Sequence, residues 1–231
     1  MSSNVCLALL LDGPMQSWGH ASRFERRTTT LHPTRSAIMG LIAAALGIDK
    51  YGDSEAAQLA RFTDLRTTVI TLPRRSRREG NLLLRRLEDY HTVTGIRRAS
   101  GKVDHDATVQ TYRHYLLDAR FGVLLEGSSA LLDEIAAGLR NPKWGVWLGR
   151  KCCLPASPVL VTVLPQRSQA WAELLRRAAY AGTEPEEQFD RVIEVAANDP
   201  GADIIEDTPV AFGNPIGERH APRWIRRIAK L

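Results

Sequence analysis

The sequence predicts an α+β fold, a ferredoxin-like sheet with an inserted β-hairpin, on the basis of three observations. Four apolar runs have the length and composition of buried strands, at 5–11, 65–72, 121–125 and 159–164. Amphipathic helical patterns lie at 36–46 and 130–139. Two extended arms, 81–93 and 108–117, surround a polar, basic loop that is typical of a projecting hairpin. This order of elements matches a split βαβ sheet with an insertion.

The first strand and the first helix have the clearest boundaries. Residues 5–11 are continuously apolar, and Gly13 with the following proline forms a turn that ends the run. The helix can be capped by Thr34 or Ser36, carries an apolar face, and reaches Gly47 at its end. We therefore expect a buried strand followed by a helix that packs on it.

The later elements are less regular. A short acidic helix is expected at 54–62, and a third longer helix at 171–180. Beyond residue 180 the pattern is less regular, and prolines and glycines recur to the end of the chain.

The composition is that of an ordinary globular protein. The chain has 231 residues, of which 44% are apolar and 25% charged, and this is enough to bury a core. It has neither an apolar run of the ~20 residues that span a membrane nor a basic region before its first apolar run. Cys6, Cys152 and Cys153 fit neither a disulfide framework nor a zinc spacing. We expect reduced thiols in a cytoplasmic protein with no membrane partner.

Charge is distributed unevenly along the chain, although the formal net charge is only +5. Residues 74–102 carry nine basic residues against three acids. Residues 173–207 carry ten acids against three arginines. The basic segment is expected to bind a polyanion and the acidic one to face solvent or a basic partner. Scattered, solvated charge is the alternative.

The N-terminal residues contain the parts needed to hold a nucleic-acid backbone beside its bases. Gly13 would let an RNA backbone approach, and Gln16 and an exposed Trp18 would touch bases. Arg26 and Arg27 follow in a basic, threonine-rich linker. The alternative is a tight turn whose tryptophan packs on its own domain.

Two further segments could bind phosphate. At the helix start, Thr34, Arg35 and Ser36 offer backbone amides, hydroxyls and a guanidinium group. The turn at 144–151 combines two tryptophans and two glycines with Arg150. An ordinary helix cap and a structural loop are the respective alternatives.

The hairpin supplies the remaining candidate RNA contacts. They are aromatic, imidazole and basic side chains along both arms and near the tip, namely Tyr90, His91, Arg97, Arg98, Lys102 and Arg113. Aromatic rings can stack on unpaired bases, and cations can hold phosphates.

Sequence patterns typical of catalysis or cofactor binding are missing. The six histidines show no HxxxH or HExxH spacing, so we expect no metal site. The chain has no P-loop, nucleophile elbow or dinucleotide fingerprint, so we expect no cofactor. A metal-independent endoribonuclease, which would process repeat RNA, needs only a general base and acid near a 2′-hydroxyl. His91 and His114, each beside a tyrosine, keep that alternative open.

Five segments of the chain are together similar to one known family. In chain order they are LLLDGPMQSWG, HPTRSAIMGLIAAALGI, LEDYHTVTG, ATVQTYRHYLLDARFGVLL and WLGRKCCLP. They resemble the CasD family of subunits of the type I-E CRISPR Cascade complex, within the repeat-associated mysterious protein superfamily. From Trp171 onward no such similarity is recognised.

The resemblance implies an α+β fold with a ferredoxin-like (RRM-like) palm, a β-hairpin thumb and a smaller C-terminal part. We expect palm and thumb over 1–165, with the thumb at about 77–112, and the C-terminal part over 166–231. The resemblance also implies a non-catalytic RNA-binding subunit of a CRISPR RNA-guided surveillance complex (Cascade) in antiviral defence. Such a subunit binds the five-prime handle of the mature crRNA.

The implied partners are the crRNA, the Cascade large subunit and the Cascade backbone subunits, with target DNA near the complex. Relatives in another CRISPR subtype cut repeat RNA themselves, using a tyrosine with a Lys-His dyad. In this sequence no lysine stands immediately before a histidine, which argues against RNA cleavage of that kind.

Overall fold

The computed structural model describes residues 4–19, 25–76, 78, 80–97, 101–213 and 217–230. The helices are α1 (Arg35–Leu46), α2 (Glu55–Ala60), α3 (Ser129–Arg140) and α4 (Arg167–Arg177), with a 3-10 turn at Glu186–Gln188. The strands are β1 (Asn4–Asp12), β2 (Met15–Gln16), β3 (Arg26–Arg27), β4 (Arg66–Thr71), β5 (Arg75–Ser76), β6 (Gly80–Asn81), β7 (Arg85–Arg97), β8 (Val103–Leu117), β9 (Arg120–Ser128), β10 (Leu160–Leu164), β11 (Arg191–Glu194), β12 (Asp203–Ala211) and β13 (Arg219–Ile228).

The centre of the molecule is an antiparallel sheet of seven strands, in the order β10-β1-β9-β4-β11-β13-β12. The sequence predicts the first four of these strands, but not the last three. All three come from the segment beyond residue 180, where the less regular pattern indicates no particular strand. The sheet therefore continues across residue 165, where the sequence places a domain boundary.

Strand β1 shows why a continuous apolar run marks the middle of this sheet. Successive side chains of a strand point to opposite faces. Leu7 and Leu9 pack in the core shared with α1 and α3, whereas Ala8 and Leu10 pack in the core shared with α4. Both faces of the strand are therefore covered, and polar residues would be buried without partners.

The predicted helix boundaries are close to those of the structure. Thr34 caps α1, since its Oγ1 accepts a hydrogen bond from the Ala37 amide at 3.3 Å. Gly47 ends the helix with a φ of 74°, a left-handed conformation that glycine adopts without strain. The third predicted helix begins four residues early, at Arg167. Within the described residues, no helix is long and apolar enough to span a membrane.

The predicted hairpin is present as β7 and β8, which pair from Arg85 opposite Leu117 to Arg97 opposite Val103. At its base, β8 also pairs with the short strands β2 and β3. Along the outer part, side chains such as Thr92 and Gln110 are exposed. A two-stranded ribbon without a packed face has little stability of its own, so the base holds the hairpin in place.

An ionic quartet, buried except for the partly exposed Glu194, joins the start of α1 to the C-terminal strands. Its members are Arg35, Glu194, Asp207 and Arg223. Arg223 donates to Asp207 through Nε and Nη2, at 2.5 and 2.9 Å, and to Glu194 through Nη1 at 3.0 Å. Arg35 pairs with Glu194 through its side chain and donates its backbone N–H to Asp207 at 2.8 Å. Two positive and two negative charges thus balance inside the fold.

The Arg35 guanidinium also fixes the segment that joins α2 to β4. It donates to the carbonyl oxygens of Phe62, Thr63 and Leu65, at 2.8, 3.1 and 2.7 Å. A further hydrogen bond of 2.9 Å reaches the hydroxyl of Thr67. One buried side chain therefore satisfies the buried carbonyl groups of Phe62 and Leu65, and its removal would leave them unpaired.

Part of the acidic segment at 173–207 is used inside the fold, which corrects in part the expectation that it faces solvent or a basic partner. Arg167 bonds to Glu186 at 2.9 and 2.8 Å, and also to Glu126 of β9 at 2.6 Å. Glu194 and Asp207 belong to the ionic quartet. The local excess of acids is balanced by arginines from distant parts of the chain.

The three cysteines are free thiols, as the sequence predicts. Cys6 and Cys153 are buried, and Cys152 is exposed. Burial raises the pKa of both Cys6 and Cys153 to about 12. These two thiols are therefore protonated at neutral pH and behave as core residues.

We predict that Asp207→Asn destabilises the protein by about 3–5 kcal/mol near pH 7, because it leaves two buried arginines short of one carboxylate. Burial alone would raise the pKa of Asp207, but Arg223 and Arg35 outweigh it and lower the pKa below its usual value. The stabilisation is therefore present above about pH 4 and lost as the pH falls through the lowered pKa. Chemical denaturation of both proteins from pH 7 down to pH 3 measures this.

The matched control is Asp203→Asn on the same strand, whose carboxylate pairs with Arg227 at the surface. Exposed pairs contribute at most about 1 kcal/mol, so we expect little change. An equal, pH-independent loss of stability in both variants would contradict the role assigned to the quartet.

Candidate nucleic-acid interface

The turn that was predicted to touch RNA bases is packed inside the protein. Trp18 and Gln16 are both fully buried. The Trp18 indole N–H donates to Gln16 Oε1 at 3.2 Å, and Gln16 Nε2 donates to the carbonyls of Leu11 and Ala119 at 3.0 and 2.7 Å. The expectation of an exposed Trp18 is therefore wrong, and neither side chain is available to RNA in this structure.

Two glycines allow this turn to pack closely against the loop that contains Leu148 and Leu154. A Cβ atom at Gly13 would lie 2.7 Å from the carbonyl oxygen of Leu154. At Gly149, whose φ is +95°, it would lie 1.8 Å from the carbonyl oxygen of Ser17. The backbone N–H of Ser17 also donates to the carbonyl oxygen of Leu148 at 3.1 Å. Gly13 therefore allows close packing within the protein, which corrects the role in RNA approach that the sequence suggested.

The helix start predicted to bind phosphate already holds a carboxylate of the same chain. Asp207 accepts from the backbone N–H of Arg35, at the position that an anion takes on a helix N-terminus. Thr34 and Arg35 are both buried. Neither contacts solvent enough to bind RNA, and the predicted phosphate contact through Arg35 is wrong. Ser36 alone of the three reaches a surface cleft.

That surface cleft, which we call the arginine cleft, has a volume of about 540 Å³. Its walls come from the turn after β1, from β3, from α1, from the 145–150 loop and from β13, and its lining includes Arg27, Ser36, Trp147, Arg150, Phe212 and His220. Glu218 is the sole carboxylate among the described lining residues. The cleft thus joins an aromatic ring, hydroxyls and guanidinium groups, a combination suited to a nucleotide.

Arg150 is held in a fixed orientation at the cleft. Its guanidinium donates to the carbonyls of His114 and Arg27, at 3.2 and 2.8 Å. It also lies 4.6 Å from the ring centroid of Tyr115. Burial is the main cause that raises the pKa of Tyr115, so the phenol stays neutral. A preorganised, partly exposed guanidinium loses little entropy when an anion binds.

The hairpin base presents two different faces, because neighbouring residues of a strand point to opposite sides. In β3 and β8, Arg26 lies beside Tyr112 and Arg27 lies beside Arg113. Tyr90 of β7 is opposite Tyr112. The face with Arg26, Tyr112 and Tyr90 is the aromatic face. The face with Arg27 and Arg113 is the one that leads to the arginine cleft.

The aromatic face carries a row of one cation and two rings. The Arg26 guanidinium lies 4.9 Å from the ring centroid of Tyr112. The rings of Tyr112 and Tyr90 are 5.4 Å apart and inclined at 54°. Tyr90 is 52% exposed, so an unpaired base could stack against the outer end of the row.

The two histidines of the ribonuclease alternative do not form a pair. His91 is opposite Thr111, on the face that leads to the cleft, whereas His114 is opposite Glu88 on the aromatic face. His114 Nε2 lies 2.6 Å from a carboxylate oxygen of Glu88. A general base at the 2′-hydroxyl and a general acid at the leaving 5′-oxygen must reach the same phosphodiester linkage, and side chains on opposite faces of a ribbon do not. The described residues also contain no cluster of three possible metal ligands.

Three predicted contacts belong to the outer hairpin. Arg97 and Lys102 are exposed, and their roles in RNA binding stay predictions. Arg98 lies outside the described residues. Nearer the base, the Arg113 Nε donates to the Thr111 hydroxyl at 3.1 Å, and its terminal nitrogens have no hydrogen bond with a described residue.

The structure adds residues that were not among the predicted contacts. Tyr112 could have been found from the hairpin register, which places it opposite Tyr90. Trp147, with Lys151 Nζ 5.7 Å from its ring, lies in a turn that the sequence singles out. His220 had no sequence signal, because it enters the cleft on β13, which was not predicted.

Comparison with known proteins gives consistent results. The family model for CRISPR-associated protein (Cas_Cas5) matches residues 6–220. The CRISPR system Cascade subunit CasD of Escherichia coli (strain K12) is 33% identical over 158 residues, which cover 67% of this chain and 69% of CasD.

Two solved structures are also similar to this chain. One is a chain of a CRISPR RNA-guided surveillance complex, with a TM-score of 0.71, 29% identity and coverage of 96% of this chain and 89% of that one. The other is the crystal structure of a Cas protein, with a TM-score of 0.60, 29% identity and coverage of 96% and 93%. The family resemblance seen in the sequence is confirmed, and the chain belongs to the CRISPR-associated Cas5 family.

Proposed function

We propose that this chain is a non-catalytic, RNA-binding subunit of a CRISPR RNA-guided surveillance complex in antiviral defence, and that it binds the five-prime handle of the guide RNA. The observation that carries the proposal is the continuity of two surfaces. Arg26 ends the stacked row of the aromatic face, and its neighbour Arg27 lines the arginine cleft. A single strand that crosses β3 can therefore place bases on one side and phosphates on the other.

The fold supports the proposal by separating rigid and extended parts. The strands β10, β1, β9 and β4, with helices α1 and α3, have the order expected of a ferredoxin-like palm, and we assign that role to them. The hairpin of β7 and β8 is the thumb. In this assignment the palm holds the cleft in a constant shape, and the thumb extends the basic surface away from it.

Phosphate and base contacts divide the work of binding. Arginines such as Arg27, Arg113 and Arg150 supply affinity that is independent of sequence and sensitive to salt. Identity of the handle is read from unstacked bases, for which Tyr90, Tyr112 and Trp147 offer ring faces. The CasD relative is a Cascade subunit, and we infer a large subunit and backbone subunits as partners of this chain in the cytoplasm, with target DNA near the complex.

The ribonuclease alternative is not favoured by the positions of the histidines. His91 and His114 face opposite sides of the hairpin, and His114 is bonded to Glu88. The arginine cleft offers no second pair of imidazoles, because His220 is the one histidine among its described lining residues. Its Nε2 lies 3.7 Å from Oε1 of Glu218. The proposed subunit therefore holds RNA without cutting it.

We predict that Arg27→Glu weakens retention of the guide RNA at least about tenfold, because it replaces a charge-assisted phosphate contact with repulsion. The complex would be assembled by co-expressing the variant with the other subunits and a guide RNA. Quantification of guide RNA per complex across a salt titration then gives the loss.

The matched control is Arg177→Glu, which makes the same charge change at an exposed position on α4. We expect it to leave guide content unchanged. If Arg27→Glu retains as much guide RNA as Arg177→Glu does, the arginine cleft does not bind the handle and the proposed function loses its main support.

We predict that replacing Arg97 and Lys102 with glutamine flattens the salt dependence of RNA binding. Each lost phosphate contact reduces the slope of log K against log salt by about 0.7 for a single strand. Filter binding of handle RNA at several salt concentrations measures the slope. An unchanged slope would place both side chains in solvent and limit the interface to the hairpin base.

A further inference from the structure

A second cleft, of about 840 Å³, shares no lining residue with the arginine cleft. It lies between the start of β7, the ends of β4 and β11, and the end of β13. Its described lining is rich in aliphatic side chains, among them Leu72, Val192 and Ile228. We call it the leucine groove. Its size is within the range of sites that receive a ligand or a peptide segment.

Exposed leucines form the rim of this groove. Leu83 is 89% exposed, Leu31 49% and Leu82 39%. By contrast, Leu84 packs against the core and anchors the rim. Three leucines left in water around an apolar floor are unfavourable for an isolated protein, and such patches mark interaction sites.

The charge around the groove is strongly positive. Its lining has seven basic side chains, namely Arg74, Arg85, Arg86, Arg120, Arg191, Arg227 and Lys230, against the two carboxylates of Asp118 and Asp190. Arg74, Arg85, Arg191 and Arg227 form ion pairs within the chain. The Arg120 guanidinium donates to the carbonyls of Leu72 and Pro73 at 3.2 and 3.0 Å. Arg86 and Lys230 are exposed and make no ion pair with a described residue, so the rim retains two cations for a partner.

We infer that the leucine groove docks a segment of a partner protein that carries apolar side chains flanked by carboxylates. The apolar side chains would cover the floor and the exposed leucines, and the carboxylates would meet Arg86 and Lys230. An RNA strand fits less well, because the described part of the lining contains no phenylalanine, tyrosine or tryptophan on which a base could stack. This contact lies outside the proposed RNA site and rests on the proposed function only in that the chain belongs to a complex.

The direct test places a photo-reactive benzophenone side chain at position 83 in the complex assembled with its guide RNA. After irradiation, mass spectrometry identifies what is attached. The expected result is a peptide of another subunit that contains apolar residues flanked by aspartate or glutamate. Attachment to RNA, attachment to a peptide without carboxylates, or no attachment would each overturn the inference.

A substitution gives an independent measurement. Leu83→Asp should lower the occupancy of the attached subunit in the purified complex at least about fivefold. The new carboxylate would lie in an apolar contact and would repel the carboxylates of the partner. Leu154→Asp is the matched control, since Leu154 is 59% exposed and lies outside the groove. Thermal unfolding of the isolated variants verifies that both still fold. Equal subunit occupancy in both variants would also overturn the inference.

These results separate the inference from the proposed function. If the unmodified chain joins the complex and retains guide RNA but position 83 attaches to no protein, the groove assignment fails alone. If Arg27→Glu retains its guide RNA while position 83 attaches to an acidic, apolar peptide, the RNA site fails and the groove stands. If the unmodified chain joins no complex, both fail.

Discussion

The ionic quartet of Arg35, Glu194, Asp207 and Arg223 is the interaction on which the rest of the structure depends. It connects the first residue of α1 with β11, β12 and β13, which are more than 150 residues away in sequence. Buried ion pairs add little net stability compared with apolar packing, but they tolerate only one arrangement of their partners. Here that arrangement fixes where α1 begins relative to the C-terminal strands, and so where the walls of the arginine cleft stand.

The cleft illustrates how buried residues position candidate RNA contacts at the surface. Gln16 and Trp18 are hydrogen-bonded to each other inside the core, and the Gly149 turn fits over Ser17 because it has no side chain. This packing brings Arg150 against Tyr115 and against the carbonyl of Arg27. The exposed guanidinium groups are thus held by buried neighbours, which is how a rigid scaffold lowers the entropic cost of binding.

Local patterns in the sequence were enough to predict the elements whose boundaries depend on neighbouring residues. The apolar run of β1, the Thr34 cap and the Gly47 stop of α1 were all predicted, and so were the arms of the hairpin. Arg35 could not be placed, because its partners Glu194 and Asp207 lie in strands that alternate too weakly to be recognised. An arginine at a helix start resembles a phosphate ligand until the carboxylate that fills the site is known. The same distant pairing concealed the contacts of the acidic segment. The candidate site residues Arg26, Arg27 and Tyr90 do lie at the surface, because they need no tertiary partner to remain there.

The most direct test of the account is a crosslinking map of the assembled complex with a guide RNA that carries 4-thiouridine at successive handle positions. The account predicts crosslinks to Tyr90, Tyr112 or Trp147, on the aromatic face and in the arginine cleft, and none to the leucine groove. Handle crosslinks that fall on the leucine groove, or on α4 across the sheet, would contradict it, because the RNA would then follow a surface that carries neither the stacked rings nor the arginines of the hairpin base.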